Sequence, residues 1–210
     1  MAKKKQKHDS FEQLQEATIS TEQFIEKHQK WIIRGVTAII IVVAAFFGYN
    51  RFYKAPLEKE ALAQMASPEN YFQQDSFRLA LHGDGNALGF LDVIDQYGST
   101  ASGKLANYYA GLCYLHTGAY HEAIAYLGKY TAKDMVFSHL AKANIGDAYM
   151  ELGDFKQAAA YYRQATAGNK NEFTAPILLM KAGLAYEKSD DYKSALAMYE
   201  KLEKEFPAST

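Results

Sequence analysis

Residues 105–127, LANYYAGLCYLHTGAYHEAIAYL, decide the fold, because the same text returns twice. It reappears as LAKANIGDAYMELGDFKQAAAYY at 140–162 and as ILLMKAGLAYEKSDDYKSALAMY at 177–199. The period is 35 residues and then 37. In each copy a glycine (Gly111, Gly146, Gly183) is followed three residues later by tyrosine (Tyr114, Tyr149, Tyr186). A second aromatic (Tyr120, Phe155, Tyr192) precedes an alanine by three (Ala123, Ala158, Ala195), and a bulky residue stands four further on (Leu127, Tyr162, Tyr199). Small residues at fixed offsets let two helices approach closely while large ones fill what remains, so the pattern is steric complementarity. Thr117-Gly118, Leu152-Gly153-Asp154 and Ser189-Asp190-Asp191 supply the tight turn between the two helices of each copy.

This pattern resembles the tetratricopeptide repeat, whose consensus has small residues at its eighth and twentieth positions and large ones at its eleventh, seventeenth and twenty-fourth. Pro207 falls where that consensus places its proline after the third copy. The resemblance implies an all-α fold with three helical hairpins over residues 99–210, stacked as a solenoid whose first helices line an inner, partner-binding face. Aligning the copies assigns to that face Leu105, Tyr108, Leu112, Leu115 and His116; Leu140, Ala143, Asp147, Met150 and Glu151; and Ile177, Met180, Leu184, Glu187 and Lys188. The groove is mostly apolar. Family members that capture chaperone C-termini use a Lys/Asn clamp, of which only Asn144 is matched, which argues against that activity here. A groove so apolar needs a cover: either an apolar segment of another protein, or the chain's own helices between Leu57 and Leu81. If it binds a partner, Leu112→Asp and Met180→Glu abolish crosslinked recovery without loss of helicity.

Upstream, Leu57 to Ala66 reads as a short helix, Ser67-Pro68 as the cap and first residue of the next, and Tyr71 to Leu81 as its body. Gly83-Asp84-Gly85-Asn86 breaks the pattern, and Ala87 to Tyr97 resumes it through Leu88, Leu91, Val93 and Ile94. Residues 54–98 are thus expected to be a linker helix and a degenerate repeat capping the solenoid. No polar closing helix follows Pro207, so a longer natural chain, or another cover for that end, is expected.

Residues 35–49, GVTAIIIVVAAFFGY, carry no charge. Extended to Trp31 and Tyr53 the segment would cover roughly 35 Å as a helix against a hydrocarbon core of about 30 Å. Arg34 and Arg51 lie where long side chains snorkel, and Trp31, Tyr49 and Tyr53 where interfacial aromatics are favoured. A core helix would show a polar stripe, which Ile39 to Phe47 lacks, and a signal peptide would not carry so long a polar lead. Residues 31–53 are therefore expected to span a membrane. The N-terminal 30 residues form a cytoplasmic tail with a basic cluster at Lys3, Lys4, Lys5 and Lys7, and a capping box at Ser20-Thr21-Glu22-Gln23 starts a short helix.

Twenty-three Lys and Arg against 24 Asp and Glu leave a net charge of −1, without the field that gathers nucleic acid. One cysteine, Cys113, precludes a disulfide framework and a multi-cysteine metal site, and its neighbours do not activate it as a nucleophile. Histidines at 8, 28, 82, 116, 121 and 139 lack ligand spacing. His82-Gly83-Asp84-Gly85 has no phosphate-binding continuation. The expectation is a binding protein without catalytic residues, metal or cofactor.

In layout the chain resembles the single-pass tetratricopeptide proteins of bacterial inner membranes, such as the ancillary subunit of the Sec translocon, and residues 85–130 are similar to uncharacterised members from Bacteroidetes. What that implies is a periplasmic repeat domain meeting client polypeptides, translocon components or chaperones. A scaffold subunit of a stable membrane complex is the alternative, as is a cytoplasm-facing regulator if the topology is inverted.

Overall fold

The computed structural model describes residues 28–31, 33–130, 135–168 and 171–209, and among these every regular element is a helix. The basic cluster at Lys3 to Lys7 and the capping box at Ser20 to Gln23 lie outside the described residues. The chain divides into two units at Ala55.

The first unit is built on α1, residues 33–49, preceded by helical residues 28–31 and followed by one π-helical stretch, Asn50–Lys54. The Asn50 side-chain amide donates to the Phe46 carbonyl at 3.0 Å. The apolar residues are exposed in every direction around α1: Ile39, Ile40, Ile41 and Val42 are consecutive, and each is about as exposed as the next. The Arg34 guanidinium lies over the Trp31 ring, and Tyr49 stacks on Tyr53. The helix containing α1, His28–Gln73, is the one among the described residues long and apolar enough to cross a membrane.

The second unit runs through α2 (Ala55–Gln73), α3 (Phe77–His82), α4 (Phe90–Tyr97), α5 (Ala101–His116), α6 (Tyr120–Lys129), α7 (Met135–Glu151), α8 (Phe155–Thr166), α9 (Thr174–Lys188) and α10 (Tyr192–Glu205), ending in a short 3-10 turn, Pro207–Ser209. The pairs α5/α6, α7/α8 and α9/α10 are the three copies seen in the sequence, and each packs mainly on its neighbours in the chain. Gly118 and Gly153 turn the first two pairs with φ of +80° and +76°. Asp190, at φ +62°, does so in the third, where its carboxylate also accepts from the Tyr192 hydroxyl. Asp154 and Asp191 then cap the second helices by accepting from the Gln157 and Ser194 amides.

The expected break at Ser67-Pro68 does not occur. Proline lies inside a single helix, α2, with its ring fully buried. The lost backbone hydrogen bond is offset by ring burial and by the helix-favouring run from Leu57 to Ala66. The break falls instead at Gln74-Asp75, where Asp75 takes φ +54° and the Ser76 amide returns to the Tyr71 carbonyl. The helix expected from Ala87 begins later, at Phe90, because the Asp84 carboxylate holds the Asn86 and Ala87 amides in a turn.

One contact ties the start of this unit to the first pair. The Glu58 carboxylate, on α2, accepts from the Ala101 and Ser102 amides at 2.6 and 3.0 Å and from the Ser102 hydroxyl at 2.6 Å. Thr100 Oγ1 accepts from the Gly103 amide, so the open N–H groups at the start of α5 are satisfied from two directions. Glu58→Ala is expected to lower the unfolding free energy by about 2 kcal/mol, the scale for hydrogen bonds to a charged group. Urea titration of the full chain checks this, with Glu58→Gln recovering part of the loss.

Candidate functional site

Each glycine of the three copies faces the bulky residue sixteen positions later on the partner helix. A Cβ on Gly111 would lie 2.5 Å from Leu127 Cγ, on Gly146 2.7 Å from the Tyr162 ring, and on Gly183 it would run into the Tyr199 ring. This contact sets the spacing within each pair, and so where the first helices stand.

Of the residues assigned by sequence to the inner face, those of the first two pairs are largely covered by the pair that follows. Tyr108 is buried, with its ring 5.2 Å from that of Phe137 and its hydroxyl accepting from the Asn144 amide at 3.3 Å. Leu105, Leu112 and Leu140 are half-buried in the same cluster. Ala143 is buried against Ala165 and Leu178. Leu112→Asp would therefore disturb folding as well as any surface, and Met180 is the cleaner position to test. At the end of α5 the helices α2 and α3 pack on the first pair, with Phe77 stacked on the His116 imidazole at 4.6 Å and Phe72 edge-on against it and Tyr109, while His116 itself stays exposed.

Ile177, Met180 and Leu184 are open, at 58%, 54% and 43% exposure. They form one stripe along α9 and, with Phe173 just before it, Pro176 and Lys181, line a cavity of about 470 Å³. Leu196 on α10 is exposed to a similar degree. Large apolar side chains gathered on one end of a helical stack are the feature that marks an association surface.

Asp147 lies behind this stripe in a polar network that the sequence reading missed. Its carboxylate takes both contacts of the Lys181 ammonium, at 2.7 and 3.0 Å, and accepts from the Tyr162 hydroxyl at 2.5 Å. Burial, and next the bond to Asp147, push the Tyr162 phenol far above its ordinary range, so it stays a donor. The three groups come from α7, α8 and α9 and fix the register of one pair on the next. An ion pair this open contributes modestly to stability, and its role is positional. The signal available in the sequence was Asp147 at an otherwise apolar position, with no hint of its partner.

Cys113 is fully buried, and burial pushes its thiol up to about 12. It is a packing residue that holds its proton. Among the described residues no three of His, Cys, Asp and Glu converge to hold a metal ion.

Residues 76–210 match the family model described as T7SS, ESX-1 secretion system protein EccA1, N-terminal domain, a helical, tetratricopeptide-like domain. The match begins one residue before α3 and leaves α1 and α2 outside it. No curated protein matches the chain.

Proposed function

The chain belongs to the family of the EccA1 N-terminal domain, and from that premise we propose that it is a membrane-tethered interaction module that binds other polypeptides in protein export or envelope assembly, and not an enzyme. Its repeat domain consists of three tetratricopeptide units behind an N-terminal cap formed by α2, α3 and α4. Residues 31–53 cross a bacterial inner membrane once, with the N-terminus in the cytoplasm and the repeats in the periplasm. Apolar exposure on all sides of α1 supports the tether, since such a surface is stable in lipid and costly in water. The observation that carries the binding role is the open apolar stripe of α9, on a domain whose other large side chains are mostly covered by a neighbouring pair.

Two measurements test this reading. Alkaline phosphatase fused after Thr210 is expected to be active in cells, while a fusion to the chain lacking residues 31–53 is expected to be inactive and to leave the membrane fraction. An inactive full-length fusion places the repeats in the cytoplasm and overturns the topology. Crosslinking in intact cells is expected to recover protein partners, and their absence removes the binding role.

A further inference from the structure

Three times in this domain a first helix docks on the preceding layer through the same three positions. α5 uses Ala106, Ala110 and Cys113; α7 uses Ala141, Ile145 and Ala148; α9 uses Leu178, Ala182 and Ala185. All nine are buried, none above 4% exposure. The spacing is i, i+4, i+7, one face of a helix, and small side chains dominate it. Where α7 lands, the receiving side is bulky, with Tyr108 and Leu112 on α5 and Ile124 on α6. At this interface docking is a small-residue stripe entering a large-residue surface, whereas where α9 lands the equivalent receiving positions are the smaller Ala143, Asp147 and Ala159.

In that register Tyr108, Leu112 and Ile124 become Met180, Leu184 and Leu196 in the last pair. These three carry the same receiving chemistry, and all are exposed. We infer that this end face binds a single α-helix of a partner protein, one that presents small side chains at i and i+7 with an aliphatic one at i+4 and joins the stack as α7 joins α5 and α6. A second copy of this chain fits less well, because its own end face would set Met180, Leu184 and Leu196 against side chains of equal bulk, unlike the interface that α7 makes with α5 and α6. Buried small-on-large packing gives the helix its affinity, and the absence of room for a large side chain on the docking stripe gives it selectivity. The inference rests on the interaction-module reading and names the class of partner.

The test uses the full chain in nonionic detergent and a fluorescent synthetic peptide of residues 135–151, the chain's own α7 sequence, as probe. Saturable binding by anisotropy is expected, weakened about tenfold or more by Leu184→Glu or Met180→Glu in the protein. The same loss is expected for Ala148→Phe in the peptide. Leu79→Glu, exposed on α3, is expected to leave binding unchanged, and all protein variants are expected to keep wild-type helicity and melting behaviour. Absence of saturable binding, or binding indifferent to both Leu184→Glu and Met180→Glu, overturns the inference. A dimer of the full chain that Leu184→Glu converts to monomer overturns it also, in favour of self-association. Partners crosslinked in cells and recovered equally from wild type and Leu184→Glu overturn the end face while leaving the interaction module standing. Failure to recover any partner removes the module, which the peptide titration does not depend on.

Discussion

Gly111→Val is expected to destabilise the repeat domain by about 3 kcal/mol, against the sign that helix propensity alone predicts. Glycine in a helix interior ordinarily costs about 1 kcal/mol relative to alanine, so an added side chain should help. Here a Cβ would meet Leu127 Cγ at 2.5 Å and the Leu127 backbone nitrogen at 3.0 Å. Leu127 is 1% exposed and cannot swing away, and the backbone atom moves only if α6 moves. The overpacking cost therefore exceeds the propensity gain. Guanidinium titration measures it: a lowered midpoint at unchanged slope is expected, with Gly111→Ala intermediate. A midpoint equal to or above wild type would show that the two helices do not touch through this position.

Phe90→Ala is expected to cost about 4 kcal/mol, a large share of the 5–15 kcal/mol that holds a typical domain together. Phe90 is fully buried at the start of α4, stacked parallel to Tyr109 of α5 at 5.2 Å, in the cluster that also takes Met65 from α2 and Leu81 from α3. Truncation leaves a void among elements tied together at few other points, and a short helix such as α4 has little propensity of its own to persist. The loss should appear first as amide exchange in α2 to α4, followed by global destabilisation. Protection in α2 to α4 equal to wild type would mean that the layer is held by other contacts.

The repeat was legible because its determinants are local. Gly111, Ala123 and Leu127 lie within 17 residues, and the same spacing recurs in the other two copies, so periodicity alone places two helices against each other. What periodicity does not carry is the identity of partners across layers. Asp147 and Lys181 are 34 residues apart, and Glu58 reaches the start of α5 across 43, distances at which nothing in the local pattern links the residues. The same limit explains the groove. Alignment put Tyr108, Ala143 and Met180 at one equivalent position, but whether that position is covered is set by what packs on it from another pair, and the first two are buried while the third is exposed. The misplaced break at Pro68 has a different origin: Ser-Pro is a helix-start signal whose outcome is decided by what the ring touches, and here it touches the core.

The recurrence of one three-residue docking stripe standardises one side of each layer and leaves the other free to vary. A segment duplicated in frame by one period would bring its docking stripe with it, but its receiving face would need refitting, since Tyr108, Leu112 and Ile124 give way to Ala143, Asp147 and Ala159 one layer on. Lengthening such a stack is thus a problem of sockets, the plug being standard.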